Sequence, residues 1–153
     1  MHLRRRVQVY SDPLQHVLIA AAVVAPLAPR AGRRVFATAA AVALLIDIDH
    51  AVAARSLRVR DTTGLATRPQ SHSLVVAAAA GALVAAAAGP RHGWAAGAAL
   101  ASHLLHDAGD RAAPTPLLWP FAPARQIGRR RQLAGTALLA LGSVLVSRGG
   151  RPA

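Results

Sequence analysis

The groups able to do chemistry in this chain of 153 residues are few and clustered. There are six acids, all Asp, and seven His, against eighteen bases, all Arg, and no Cys. Three of the acids stand beside His within apolar runs: Asp47 and Asp49 next to His50, and Asp107 four residues after His103. His16 and His72 lie near the beginnings of two further apolar runs. Without Cys there is no disulfide framework, no thiolate zinc site and no thiol nucleophile. A His/carboxylate set suits zinc, manganese or iron. On a helix Asp47 and His50 share a face, as do His103 and Asp107. Asp49 lies two residues from Asp47, so it joins them only through a broken helix end or a second metal.

Five nearly uncharged stretches must position these residues: 13–27, 35–54, 73–88, 93–108 and 133–147. Each is apolar all round, which suits lipid or deep burial, and approaches the ~20 residues of a spanning helix. Small residues dominate, permitting close helix packing in a membrane. Asp12-Pro13 reads as N-cap and first helical residue, Ser71 or Ser73 as the cap of the third helix, and Gly89-Pro90 as its end. The expected fold is therefore all-α: a small integral membrane helical bundle of about five transmembrane helices, four of them forming the site. Its parts are a basic N-terminal segment (1–12), a membrane-embedded domain (13–122), and a basic linker with the fifth helix and a tail (123–153). A secretory signal peptide also fits Arg4, Arg5 and Arg6 followed by an apolar run, although that run carries His16 and resembles the other four.

With helices alternating in direction, the start of the first, the end of the second, the start of the third and the end of the fourth face one side. His16, Asp47, Asp49, His50, His72, His103 and Asp107 then meet at one depth. Ionisable groups in membrane segments are costly and usually face a cavity or a partner. The metal-ligand candidates are His16, Asp47, His50, His72, His103 and Asp107. Asp49 is the candidate general base or second-metal ligand, and Arg68, just before His72, the clamp for an anion. The N-termini of the first and third helices add dipole ends that favour an anion such as phosphate. His106 reads as a neighbour of the site, Asp110 as a turn residue, and His2 and His92 as bystanders.

These residues carry a resemblance. A helix-borne His16, then Asp47-Ile48-Asp49-His50, Ser71-His72-Ser73, Ser102-His103 with Asp107, and Leu118-Trp119-Pro120-Phe121 resemble the YdjM-like family of predicted membrane-bound metal-dependent hydrolases. The likeness covers about residues 12 to 122. Relatives commonly carry His-Arg where this chain has Thr67-Arg68, and Thr where it has Gln15. The resemblance implies an enzyme with a divalent metal cofactor, zinc or manganese. We expect hydrolysis of a phosphate ester of a lipid or amphiphile through a metal-activated water. A metal-ion or proton transporter built on the same His/Asp cluster is the alternative, although the polar residues gather at one end rather than lining a path. A non-catalytic membrane scaffold is a second alternative, and a soluble Ala-rich bundle also fits the composition.

The expected partner is membrane lipid, with a phosphorylated lipid as substrate. No nucleic acid is expected, because aromatic residues do not interleave the Arg and no DNA-binding motif occurs. The net charge of +12 reads as codon bias plus membrane orientation. Placing the N-terminus in the cytoplasm puts twelve of the eighteen Arg on that side: 4, 5, 6, 55, 58, 60, 68, 111, 125, 129, 130 and 131. The positive-inside rule then gives a multi-pass protein of the bacterial inner membrane with its site near the cytoplasmic face. Reporter fusions after Arg60 and Arg91 check this: we expect a cytoplasmic signal at Arg60 and a periplasmic one at Arg91.

Overall fold

The computed structural model describes residues 2–110 and 113–149, with side chains from residue 13 onward. The Asp12 cap and the side chains of Arg4, Arg5, Arg6, Arg111 and Arg151 lie outside the described residues. The protein is all-α. Among the described residues β-pairing is confined to one isolated antiparallel bridge between Thr115 and Arg125.

Helix α1 runs His2–Val24 and continues through a 3-10 turn, Ala25–Leu27, into the short α2, Ala28–Ala31. Gly32, at φ +73°, turns the chain into α3, Arg34–Leu45. Helices α4, Ile48–Ala54, and α5, Val59–Thr62, follow. Next come α6, Leu74–Ala88, α7, Pro90–Gly109, and α8, Arg129–Arg148. The first helix thus begins well before Pro13, which lies inside it. His16 is in its middle rather than its first turn, and the dipole end of α1 is far from His16. That part of the anion argument fails.

The second apolar stretch is broken, one of the two ways the Asp47/Asp49 spacing allowed for Asp49 to join the cluster. Between α3 and α4 the amides of Asp49 and His50 bond three residues back, to the Ile46 and Asp47 carbonyls. Such bonds tighten the turn and change which way successive side chains point. Ser73 caps α6, its hydroxyl accepting from the Val76 amide. His72 therefore sits in the loop just before α6. Gly89, at φ +88°, ends α6 and begins α7 with Pro90 in the first turn. The connection from 113 to 128 is irregular and docks on the 63–73 loop and the start of α6: the Arg68 amide donates to Pro114 and the Leu74 amide to Leu117.

Helix α7 is the axle, packed by α1, α3, α6 and α8. Its buried residues are chiefly Ala, with Leu100 and Leu104 toward the site end. The large apolar side chains point outward instead: Leu14 and Leu18 on α1, Leu83 on α6, and Leu138, Leu141 and Leu145 on α8 are all exposed. The fifth helix belongs to the bundle, because Trp94 of α7 lies over Gly142 and donates to the Ser143 hydroxyl of α8 at 2.9 Å.

Two helical glycines of α7 make a contrast. A Cβ on Gly93 would fall 2.3 Å from the Ala85 Cβ and 2.6 Å from the Gly81 carbonyl oxygen, whereas one on Gly97 meets its nearest atom at 3.5 Å. Overpacking costs ~1–3 kcal/mol, and helical Ala gains ~1 kcal/mol over Gly. Thermal unfolding in detergent is expected to show Gly93→Ala destabilised and Gly97→Ala neutral or stabilised.

Candidate metal centre

Every candidate named from the sequence arrives at one end of α7. Helix α7 brings His103 and Asp107, α1 brings His16, and the α3–α4 break brings Asp47, Asp49 and His50. The 63–73 loop brings Arg68 and His72. His16, His72, His103 and Asp107 are all at most 2% exposed.

Four atoms form a closed ring. His72 Nε2 lies 3.7 Å from Asp47 Oδ1 and 3.4 Å from Asp107 Oδ2, while His103 Nε2 lies 3.3 Å and 3.5 Å from the same two oxygens. These separations exceed ordinary hydrogen bonds of ~2.7–3.2 Å. They are close to, and slightly wider than, the ~3.3 Å between neighbouring ligands of a tetrahedral ion with bonds of about 2.0 Å. His72 Nε2, His103 Nε2 and Asp107 Oδ2 are buried and have no hydrogen-bond partner. Two further triplets flank the ring and share its residues: His16 with His103 and Asp107, and Asp49 with His50 and His72. These two, and the triplet of Asp47, His72 and His103 within the ring, have spacing that could hold a metal ion.

The surroundings fix which ring atoms are available. Asp49 Oδ2 accepts from His72 Nδ1 at 2.9 Å and also from the Ser71 hydroxyl. A proton on Nδ1 leaves the Nε2 lone pair facing the ring, the usual way a carboxylate orients a ligating imidazole. Burial disfavours charging of His72, but Asp47 and Asp49 outweigh it and hold its pKa above the ordinary histidine value. At His50 the arrangement is reversed. Arg68 Nη1, which can only donate, lies 3.2 Å from His50 Nε2, so that nitrogen accepts and Nδ1 carries the proton, 3.0 Å from Asp49 Oδ1. Arg68 Nη2 meets Asp107 Oδ1 at 3.0 Å. His16 stacks on His103 with ring centroids 3.6 Å apart, and its Nε2 is 3.5 Å from Asp107 Oδ1. With neutral imidazoles, three carboxylates (Asp47, Asp49, Asp107) against one guanidinium leave two negative charges, the amount one divalent cation neutralises.

A profile of the YdjM inner membrane protein family matches residues 12–150. The chain belongs to that family. Among curated proteins and among solved structures nothing matches. The YdjM match extends beyond the motifs that end near residue 122 and takes in α8, consistent with α8 packing on α7.

Two contributors to this YdjM-family site were not anticipated. Ser71 was read as a possible cap and as part of the Ser71-His72-Ser73 motif with no role of its own, yet it holds Asp49; its place directly before His72 was the available signal. Gln132 of α8 binds His106 Nδ1 at 3.0 Å, and the His106 ring stands edge-on to His16 at 4.9 Å. Nothing in the sequence around Gln132, which follows three Arg, marks it. His92, at the far end of α7, instead bonds Thr38 at 3.0 Å.

Arg68 is only 14% exposed where it pairs with the buried Asp107. Removing one partner of a buried pair typically costs ~3–5 kcal/mol. We expect Arg68→Leu to lose about 3 kcal/mol in thermal unfolding and Arg68→Lys to recover part of it.

Proposed function

We propose that this chain is a multi-pass inner membrane enzyme, a metal-dependent hydrolase of a phosphate ester carried by a lipid or amphiphile. The observation that carries the reading is the four-atom ring of His72, His103, Asp47 and Asp107, three of whose atoms are buried without a hydrogen-bond partner. The inner membrane family and the outward leucines support five membrane passes, formed by α1, α3 with α4, α6, α7 and α8. Pro13–Ala31 and Arg34–Ala54 are long and apolar enough to cross by composition, while the apolar Leu74–Ala88 is shorter. The Arg distribution supports a site at the cytoplasmic face.

In this reading the ring holds a divalent ion, zinc or manganese, with His16 and His50 flanking it. The bound ion supplies Lewis acidity and lowers the pKa of a nearby water. Arg68 orients the anionic ester through charge-assisted hydrogen bonds. Asp49, partly exposed and anchored by His72 and Ser71, takes a proton from the attacking water. Oxygen bonds to phosphorus, the phosphorus–oxygen bond to the alcohol breaks, and the proton passes to the departing oxygen. The products are an alcohol and inorganic phosphate.

The test is metal analysis and turnover on the same preparation. Protein purified gently in detergent should carry near-stoichiometric transition metal, and His103→Gln and Asp47→Asn should each reduce it at least tenfold. Wild-type protein without metal overturns the centre. Phosphate release from a panel of phospholipids and isoprenoid phosphates should be lost in both variants. Metal flux into proteoliposomes without phosphate release favours the transporter instead.

A further inference from the structure

An open cleft of about 490 Å³ begins at the cluster and leads away from it. Asp49 and Arg68 line it together with Thr67, Gln70 and Ser71, and Val52, Ala53, Leu65, Ala66 and Pro69 supply its apolar walls. A second, shallower cleft of about 370 Å³ continues on the other side of Val52, toward Ile48 and Leu57. Val52 is 71% and Leu57 92% exposed, large apolar surface presented right beside a charged site. Exposed apolar residues on a membrane pass need no explanation, but Val52 and Ala53 line a concave cleft that also holds Asp49 and Arg68. Its volume falls in the ~300–1,000 Å³ range of small-molecule sites, which combine apolar walls with a few fixed polar groups.

The polarity gradient selects the occupant. An anion there meets Arg68, which Thr67, Gln70 and Ser71 accompany in the lining, while whatever trails toward Val52, Ala53, Leu65 and Ala66 lies against apolar side chains. A sugar or nucleoside there would leave its hydroxyls unpaired, which is costly. A hydrocarbon chain would not. The α3–α4 break builds the trough, because it turns Asp49 to the cluster while the α4 residues Val52 and Ala53 form the adjoining wall.

We propose that this cleft binds the hydrocarbon chain of an amphiphilic phosphate ester and thereby selects substrates by chain length. This rests on the hydrolase reading above, and the experiment separates the two. Hydrolysis of n-alkyl phosphates from butyl to dodecyl is measured in one detergent, alongside calorimetric binding of the matching alkylphosphonates, which carry a non-hydrolysable P–C bond. Each methylene taken into the cleft raises kcat/KM and affinity by up to about fourfold. Ala53→Phe and Ala66→Phe, at exposed positions that spare the core, fill the cleft and flatten both dependences. Leu83→Phe, on the outer face of α6, leaves both slopes as in wild type. Partition into micelles acts on all variants alike, so the readout is the difference between them. Hydrolysis and binding that ignore chain length, or slopes equal in wild type and the filled variants, overturn the cleft assignment and leave the trough to a second copy or a protein partner. Chain-length-dependent phosphonate binding with no hydrolysis keeps the cleft and overturns the hydrolase reading.

Discussion

Asp107 is fully buried and close to four groups at once: Arg68, His16, His72 and His103. A carboxylate in that position is tolerable only if positive charge reaches it from several directions. Arg68 and His72 arrive from the 63–73 loop, and the other imidazoles from α1 and α7. Asp107 thus ties separate parts of the chain to the last turns of α7. The second carboxylate, Asp47, completes the ring from α3–α4. The bundle's connectivity at this end follows from the need to surround these two acids.

The opposite end of the molecule lacks this constraint and is organised chiefly by close packing, with the His92–Thr38 and Trp94–Ser143 hydrogen bonds. Around Gly81, Gly93 and Gly97 the α6 and α7 backbones come within contact, and Gly142 admits the Trp94 ring. Close approach of this kind depends on small side chains. It also explains why the buried surface of α7 is rich in alanine while many leucines elsewhere are exposed. The polar end and the close-packed end meet at Leu100 and Leu104, which are buried between them.

Much of this was legible in the sequence, for physical reasons. Apolar runs separated by Arg-rich and Pro-rich segments located the five main helical stretches, and the alternation of helix direction brought His16, Asp47, His50, His72, His103 and Asp107 together. The Asp47/Asp49 spacing left a broken helix end or a second metal open, and the α3–α4 break is the first of these. What stayed hidden had no local signature. The start of α1 was misplaced because Asp12-Pro13 looks like a cap, yet Pro13 is tolerated within the helix. The outward orientation of the leucines does not follow from runs that are apolar on every face. The roles of Ser71 and Gln132 depend on side-chain contacts between segments far apart in the chain, which spacing cannot reveal.

The alanine lining of α7 has a last consequence, in entropy. Alanine and glycine lose no rotamer freedom on burial, whereas longer side chains give up as much as ~2 kcal/mol each. A shell built from them fixes the backbone of α7 without that loss, and with no alternative side-chain arrangements for the packing to settle into. His103 and Asp107 are therefore mounted on a helix whose position is set by backbone contact. The freedom to be removed at the site is confined to the few polar side chains that do its chemistry.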